Sequence, residues 1–205
     1  MSDLTADKLS IREVVENWVI YRDAGDWERF ATVWHSDGWM TATWFQGPAR
    51  DFIEVSRKLF DQGDGSILHS LRGWTCDISG PRAISQVKMT ILQRAPLEGV
   101  WVDVICYGRF YDFFEKRDGR WGIVRRQPIY EKDRLDPVDP SALLHLDPDL
   151  LGQFPEGYRH LAYLQAKNGH AIKEGLPGLR GPEVEKLYAE GKAWLGGSEK
   201  PGEVL

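Results

Sequence analysis

Cysteine is scarce in this chain. Cys76 and Cys106 are the two among 205 residues, and both fall within strand-like runs, so they read as buried free thiols and not as a disulfide framework. Positive charge is not in excess either: 26 Lys and Arg stand against 31 Asp and Glu, a net charge of −5 without any basic cluster. Nucleic acid and anionic membrane are therefore disfavoured as principal partners, and a small molecule is expected. No run approaches the roughly 20 apolar residues of a membrane span. The N-terminal "MSDLTADKLS" has no basic region followed by an apolar one, which makes a cytoplasmic protein the expectation. Ligand spacing for metals is missing too. His35, His69, His145, His160 and His170 form no HxH or HExxH pattern and the cysteines form no CxxC, so neither metal nor cofactor is implied. GxGxxG, P-loop and GxSxG patterns are also absent.

What is present is enough apolar material, 42% hydrophobic and 12% aromatic, for one sizeable core and an appendage. Ile11, Val14, Val15, Trp18 and Val19 recur at helical spacing, in a helix that begins at Thr5 or at the capping box "SIRE" (Ser10 to Glu13) and ends at Gly25. Asp26 can cap a second helix carrying Trp27, Phe30 and Trp34; "GWMTATWF" reads as a strand, and "GPARDFIEVSRKLFDQG" as a helix with Phe52, Val55 and Phe60 inward. From residue 66 the period becomes two. "SILHSLRGWTCDI" puts Ile67, His69 and Leu71 on one face. "RAISQVKMTILQR" puts Ala83, Val87, Met89, Ile91 and Gln93 on one face, and two further strands flank the hairpin signal Asp118-Gly119. This is an α+β layout in which a meandering antiparallel sheet curls over helices and leaves a pocket. Residues 1–132 form the main domain. Residues 133–205 form an extension: an irregular, proline-spaced connection, then two short helices around "YRHLAYLQ" and along Val184, Leu187, Tyr188, Trp194 and Leu195. Too small for a core of its own, it is expected on the main domain, on a neighbouring subunit or over the pocket mouth, with Leu161, Leu164, Leu187 and Trp194 buried.

Counting four on from Val15 and Val19 places Asp23 on the buried helix face, in the last turn, where the helix dipole disfavours a carboxylate. It needs a partner, and His69, between apolar neighbours, is the candidate. An imidazole oriented by a carboxylate is a general base; the bland alternative is a turn cap and a core histidine. Tyr107 and Arg109 share a strand face with Asp103, and Arg125 and Arg126 take opposite faces of the last strand. An inward arginine could steady a departing anion, or these could be structural and rim charges. Trp18, Trp44 and Trp74 suit an aromatic ligand or simply the core. Gln93, at the end of its inward face, and Tyr21, beside the helix end, complete the candidate substrate contacts.

The run "YRDAGDWERFATVWHSDGWM", the strand "ILHSLRG" and the hairpin "YGRFYDFFEKRDGRWGIVRR" resemble the SnoaL-like branch of the NTF2-like superfamily, over roughly residues 5 to 132. The resemblance implies a cone-shaped α+β barrel with a deep pocket. It also implies a catalytic Asp–His dyad, as in scytalone dehydratase and hexachlorocyclohexane dehydrochlorinase, which carries over to Asp23 and His69. Where the dehydratase has a tyrosine before its aspartate this chain has Arg22, and Phe110 stands where it has an asparagine, so a different substrate is expected. Ketosteroid-isomerase chemistry is disfavoured because "WMTATWF" holds no acid. The expectation is a cofactor-independent lyase (dehydratase, dehydrohalogenase or aldehyde-releasing) acting on a small apolar, aromatic substrate, in a homo-oligomer of two or three subunits. The alternatives are a non-catalytic binding or assembly module, or an isomerase or cyclase of the same fold.

Overall fold

The computed structural model describes residues 4–63 and 66–198; the ends of both expected segments lie outside this range. Six strands form one curved, open sheet in the order β2-β1-β6-β5-β4-β3, with β1 parallel to β6 and every other pairing antiparallel. Helix α1 (Leu4–Ala24) starts earlier than the capping box, so Ser10 is mid-helix. The first turn is held instead by Asp7, which accepts from Lys116 Nζ at 2.6 Å and Trp121 Nε1 at 2.8 Å. After Gly25, in the left-handed region at φ 71°, Asp26 caps α2 (Trp27–Thr32) by accepting from the Arg29 N–H.

Trp34 opens β1 (Trp34–Thr41) and is not part of α2. The expected single strand "GWMTATWF" is broken by a turn in which the Ala42 N–H bonds to Phe45 O at 2.7 Å, before β2 (Gln46–Pro48). Helix α3 (Ala49–Gln62) buries Phe52, but Phe60 is 48% exposed. Its ring closes on Gly25, 3.0 Å from where a β-carbon would stand, and meets Trp27 edge-on at 5.6 Å.

The strands β3 (Ser66–Ser79), β4 (Arg82–Leu97), β5 (Val100–Arg117) and β6 (Arg120–Pro137) form the meander. Asp118 and Gly119 both have positive φ, as the two-residue turn requires. Strand β6 continues to Pro137, pairing Asp133 to Pro137 with β5; the part of the proline-spaced connection before Val138 is therefore strand. One face of the sheet holds the main core around Ile11, Val15, Trp18, Phe30, Phe52 and Phe110.

The extension divides between the two faces. After α4 (Pro148–Leu151), α5 (Arg159–Lys167) joins the main core through Leu161 and Leu164. Helix α6 (Pro182–Leu195) covers the opposite face, where Val184, Leu187 and Trp194 pack on Ile84, Tyr111, Phe113, Val124 and Ile129. Leu161, Leu164, Leu187 and Trp194 are at most 2% exposed, each worth about 1.5–3 kcal/mol. Both cysteines are buried and free.

Candidate active site

The last turn of α1 and the edge strand β3 meet at one carboxylate. Asp23 Oδ1 accepts from His69 Nδ1 at 2.8 Å, and Oδ2 accepts from the His69 backbone N–H at 2.6 Å. That amide lies on the open edge of the sheet, since β4 pairs with the other side of β3. The two donors offset the unfavourable dipole at the helix end, and the double contact fixes both backbone and ring. Arg22 Nη1 lies 3.5 Å from Asp23 Oδ1. Trp18 meets the His69 ring edge-on at 5.3 Å, and Phe110 lies 6.1 Å away. Burial pushes the His69 pKa below the ordinary histidine value; Asp23 opposes that shift, while Arg22 and Arg126 add to it. Burial thus favours the neutral ring over the imidazolium.

His69 faces a largely apolar cavity of about 50 Å³, which shares Arg22, Trp44, Ile67, Gln93 and Gln165 with an open cleft of about 630 Å³, so a ligand of ordinary size would occupy both. Of the residues named as substrate contacts from the sequence, Trp18, Trp44 and Gln93 line the cavity; Arg22, Tyr130 and Gln165, which were not named as such, line it too. Leu161 and Gln165 follow one another at a four-residue interval on α5, the same signal that singled out Asp23 on α1, so Gln165 was open to the same reasoning.

The other candidates lie elsewhere. Arg109 is tied under α6, to Glu131 at 2.7 Å, the Tyr188 hydroxyl at 2.6 Å and Gln86 at 3.0 Å. Arg125 is on that same face, bonded to Glu190 at 2.6 Å, and Tyr107 packs beside Lys132 at 5.6 Å. Tyr21 packs against the Arg29 guanidinium at 5.7 Å and does not line the cavity. Trp74 donates to Ser85 Oγ at 2.8 Å. Arg126 is inward but lies behind the cavity wall, fully buried, paired through Nε and Nη2 with Asp112 at 2.7 Å each, 4.3 Å from the Trp18 ring and 4.1 Å from that of Phe110. Neither Arg125 nor Arg126 is a solvated rim charge.

Residues 3–127 match the family described as a SnoaL-like domain. The chain belongs to this SnoaL-like family. Its match covers α1 to α3, β1 to β5, the first part of β6 and both members of the Asp23–His69 pair, while the rest of β6 and α4 to α6 lie beyond it. Among curated proteins it is similar to a PEP2-like protein of Fusarium vanettenii, 37% identical over 96% of this chain and 88% of that one. Pea pathogenicity protein 2 of the same fungus is 35% identical over the same shares. The SnoaL-like fold is also that of solved structures: a type 2 hexachlorocyclohexane dehydrochlorinase (TM-score 0.57, 15% identity, 71% of this chain and 96% of that one). A second is a candidate scytalone dehydratase of Novosphingobium aromaticivorans (TM-score 0.54, 20% identity, 71% of this chain and all of that one).

Proposed function

We propose that the chain is a cofactor-independent lyase in which His69, oriented by Asp23, removes a proton from carbon or hydroxyl of a small, largely apolar, aromatic substrate. The observation that carries this reading is the 2.8 Å bond to the Asp23 carboxylate from Nδ1 of His69, whose ring lines an apolar cavity. With Nδ1 engaged, Nε2 is the nitrogen left to accept the proton. The electron pair of the broken C–H bond forms a new C=C bond as hydroxide or halide departs with its own pair. Alternatively, the pair of a broken O–H bond forms the C=O of a released aldehyde as the adjacent carbon–carbon bond breaks and leaves its pair on the other fragment as a carbanion. His69 then returns its proton to the departing group or to water. The names of two solved neighbours, a dehydrochlorinase and a candidate dehydratase, support an elimination.

The test is a panel of aromatic β-hydroxy, β-halo and hydroxymethyl compounds, followed by absorbance of the unsaturated product and by assay of the freed group. Wild-type turnover that disappears in His69→Gln is expected. Binding with rearrangement but no loss of a group would point to an isomerase, and binding without any change to a carrier.

A further inference from the structure

Helix α5, which lies beyond the residues that match the family, brings Gln165 to the cavity, where it joins Tyr130, Thr43 and Gln93. Thr43, Gln165 and Gln93 form a chain of hydrogen bonds with one polarity, with Tyr130 against its buried end. The Thr43 hydroxyl donates to Gln165 Oε1, and Thr43 also hydrogen-bonds with the buried Tyr130 hydroxyl. With Oε1 taken, Gln165 presents Nε2, which donates to Gln93 Oε1 at 3.1 Å. Tyr130, Thr43 and Gln165 are 1, 2 and 4% exposed, so flipping either amide would leave a buried group facing its own kind. The Gln93 amide nitrogen is where the chain ends, and its N–H groups remain for whatever the cavity holds.

Gln93 has a defined position relative to the base. On paired strands, His69 lies opposite Ile91 and Ile67 opposite Gln93, which makes His69 and Gln93 diagonal neighbours, roughly 7–8 Å apart, on the face lining the cavity. A molecule seated between them can offer an acidic hydrogen to His69 and an oxygen acceptor to Gln93.

We propose that Gln93, held in one amide orientation by Gln165, is a specificity-determining donor, and that the substrate carries a carbonyl oxygen on an otherwise apolar framework. A carbonyl brings acceptors alone, which matches a wall that ends in donors; a hydroxyl would bring a further proton needing a partner in apolar surroundings. A carboxylate would be desolvated beside Asp23, with the nearby cation of Arg22 already facing that residue. The inference deepens the lyase reading and rests on it only for the claim that the occupant is turned over.

Binding therefore tests it independently of turnover, with 1-tetralone and tetralin, which differ by one carbonyl, as probes of the tryptophan fluorescence. Wild type should bind the ketone roughly fivefold tighter, the worth of one neutral hydrogen bond. That preference should vanish in Gln93→Leu and in Gln165→Leu, which leaves Gln93 in place but unoriented, and should persist in His69→Gln. Equal affinities in wild type, no saturable ketone binding, or a preference that survives Gln93→Leu in a protein of unchanged circular dichroism would overturn the proposal. A preference intact in a protein that eliminates nothing would uphold it and remove the lyase reading instead.

Discussion

Asp23 holds His69 twice, by the ring at 2.8 Å and by the backbone N–H at 2.6 Å. The same carboxylate therefore orients the proposed base and caps an otherwise open edge of the sheet. Substitutions at the two residues should differ because of this.

His69→Gln removes the base and leaves the backbone contact in place. Turnover should fall by roughly 10²- to 10⁴-fold with little change in melting temperature. Asp23→Asn should lose comparable activity and also stability, by about 1–3 kcal/mol, because an amide can accept from one of the two donors but turns its own N–H towards the other. Steady-state rates and thermal melts separate the two effects. Equal melting temperatures for both variants would contradict the capping role.

The acid side of the pH profile follows from the direction of the His69 shift, which is downward, with burial as its main cause. The neutral ring persists below the ordinary histidine value of about 6.5, so turnover should hold as pH falls to that value and decline below it. Stability has the same sign. The unfolded chain takes up the proton first on acidification, so this residue's contribution is lost as pH falls below its unfolded value. His69→Gln should flatten that part of the stability curve, measured by denaturant titration across pH 4 to 8. A rate that rises on acidification would exclude a neutral imidazole as the base.

Asp23 and His69 were legible because each interrupts an apolar series that has one buried face: a helical stripe in one case, the period-two face of an edge strand in the other. The late-strand polar residues were not. Strands β5 and β6 are buried on both faces where α6 lies on them, so alternation no longer distinguishes cavity from exterior, and Arg109 and Arg125 prove to serve α6. Bulges between Tyr107 and Gly108 and between Phe113 and Phe114 shift the pairing further. The divided path of the extension was also hidden, because two amphipathic helices in sequence do not say which face each will cover.

Asp112 and Arg126 are both 0% exposed and form a bidentate pair. Burial alone would push the Asp112 carboxyl well up, and Arg126 opposes this. Removing one partner leaves the other as an uncompensated buried charge, so Arg126→Met should cost about 3–5 kcal/mol. Its guanidinium also supports Trp18 and Phe110 from behind, so ketone affinity should weaken even in protein that remains folded. The double variant Asp112→Leu with Arg126→Met should recover much of the stability. If the single and double variants melted alike, the pair would not be the source of the loss.

Gly191 lies inside α6, where glycine costs about 1 kcal/mol relative to alanine. On propensity alone, Gly191→Ala should stabilise the helix. A β-carbon there would, however, lie 1.9 Å from the Tyr111 hydroxyl and 2.8 Å from its ring carbon, and Tyr111 is fixed between Phe113 and Tyr188 at 5.5 Å each. Neither the ring nor the helix can yield without opening the contact between α6 and the sheet, so overpacking should outweigh propensity and destabilise by about 1–3 kcal/mol. The paired variant Gly191→Ala with Tyr111→Phe removes the clashing oxygen and should regain part of that loss, which a structural defect confined to the helix could not explain. Because α6 covers the face opposite the cavity, the Tyr130–Thr43–Gln165–Gln93 chain should be untouched, and the preference for ketone over hydrocarbon should persist in both variants. Thermal melts beside the two-probe binding assay read these outcomes together; a Gly191→Ala protein more stable than wild type would show that α6 can ride away from the sheet.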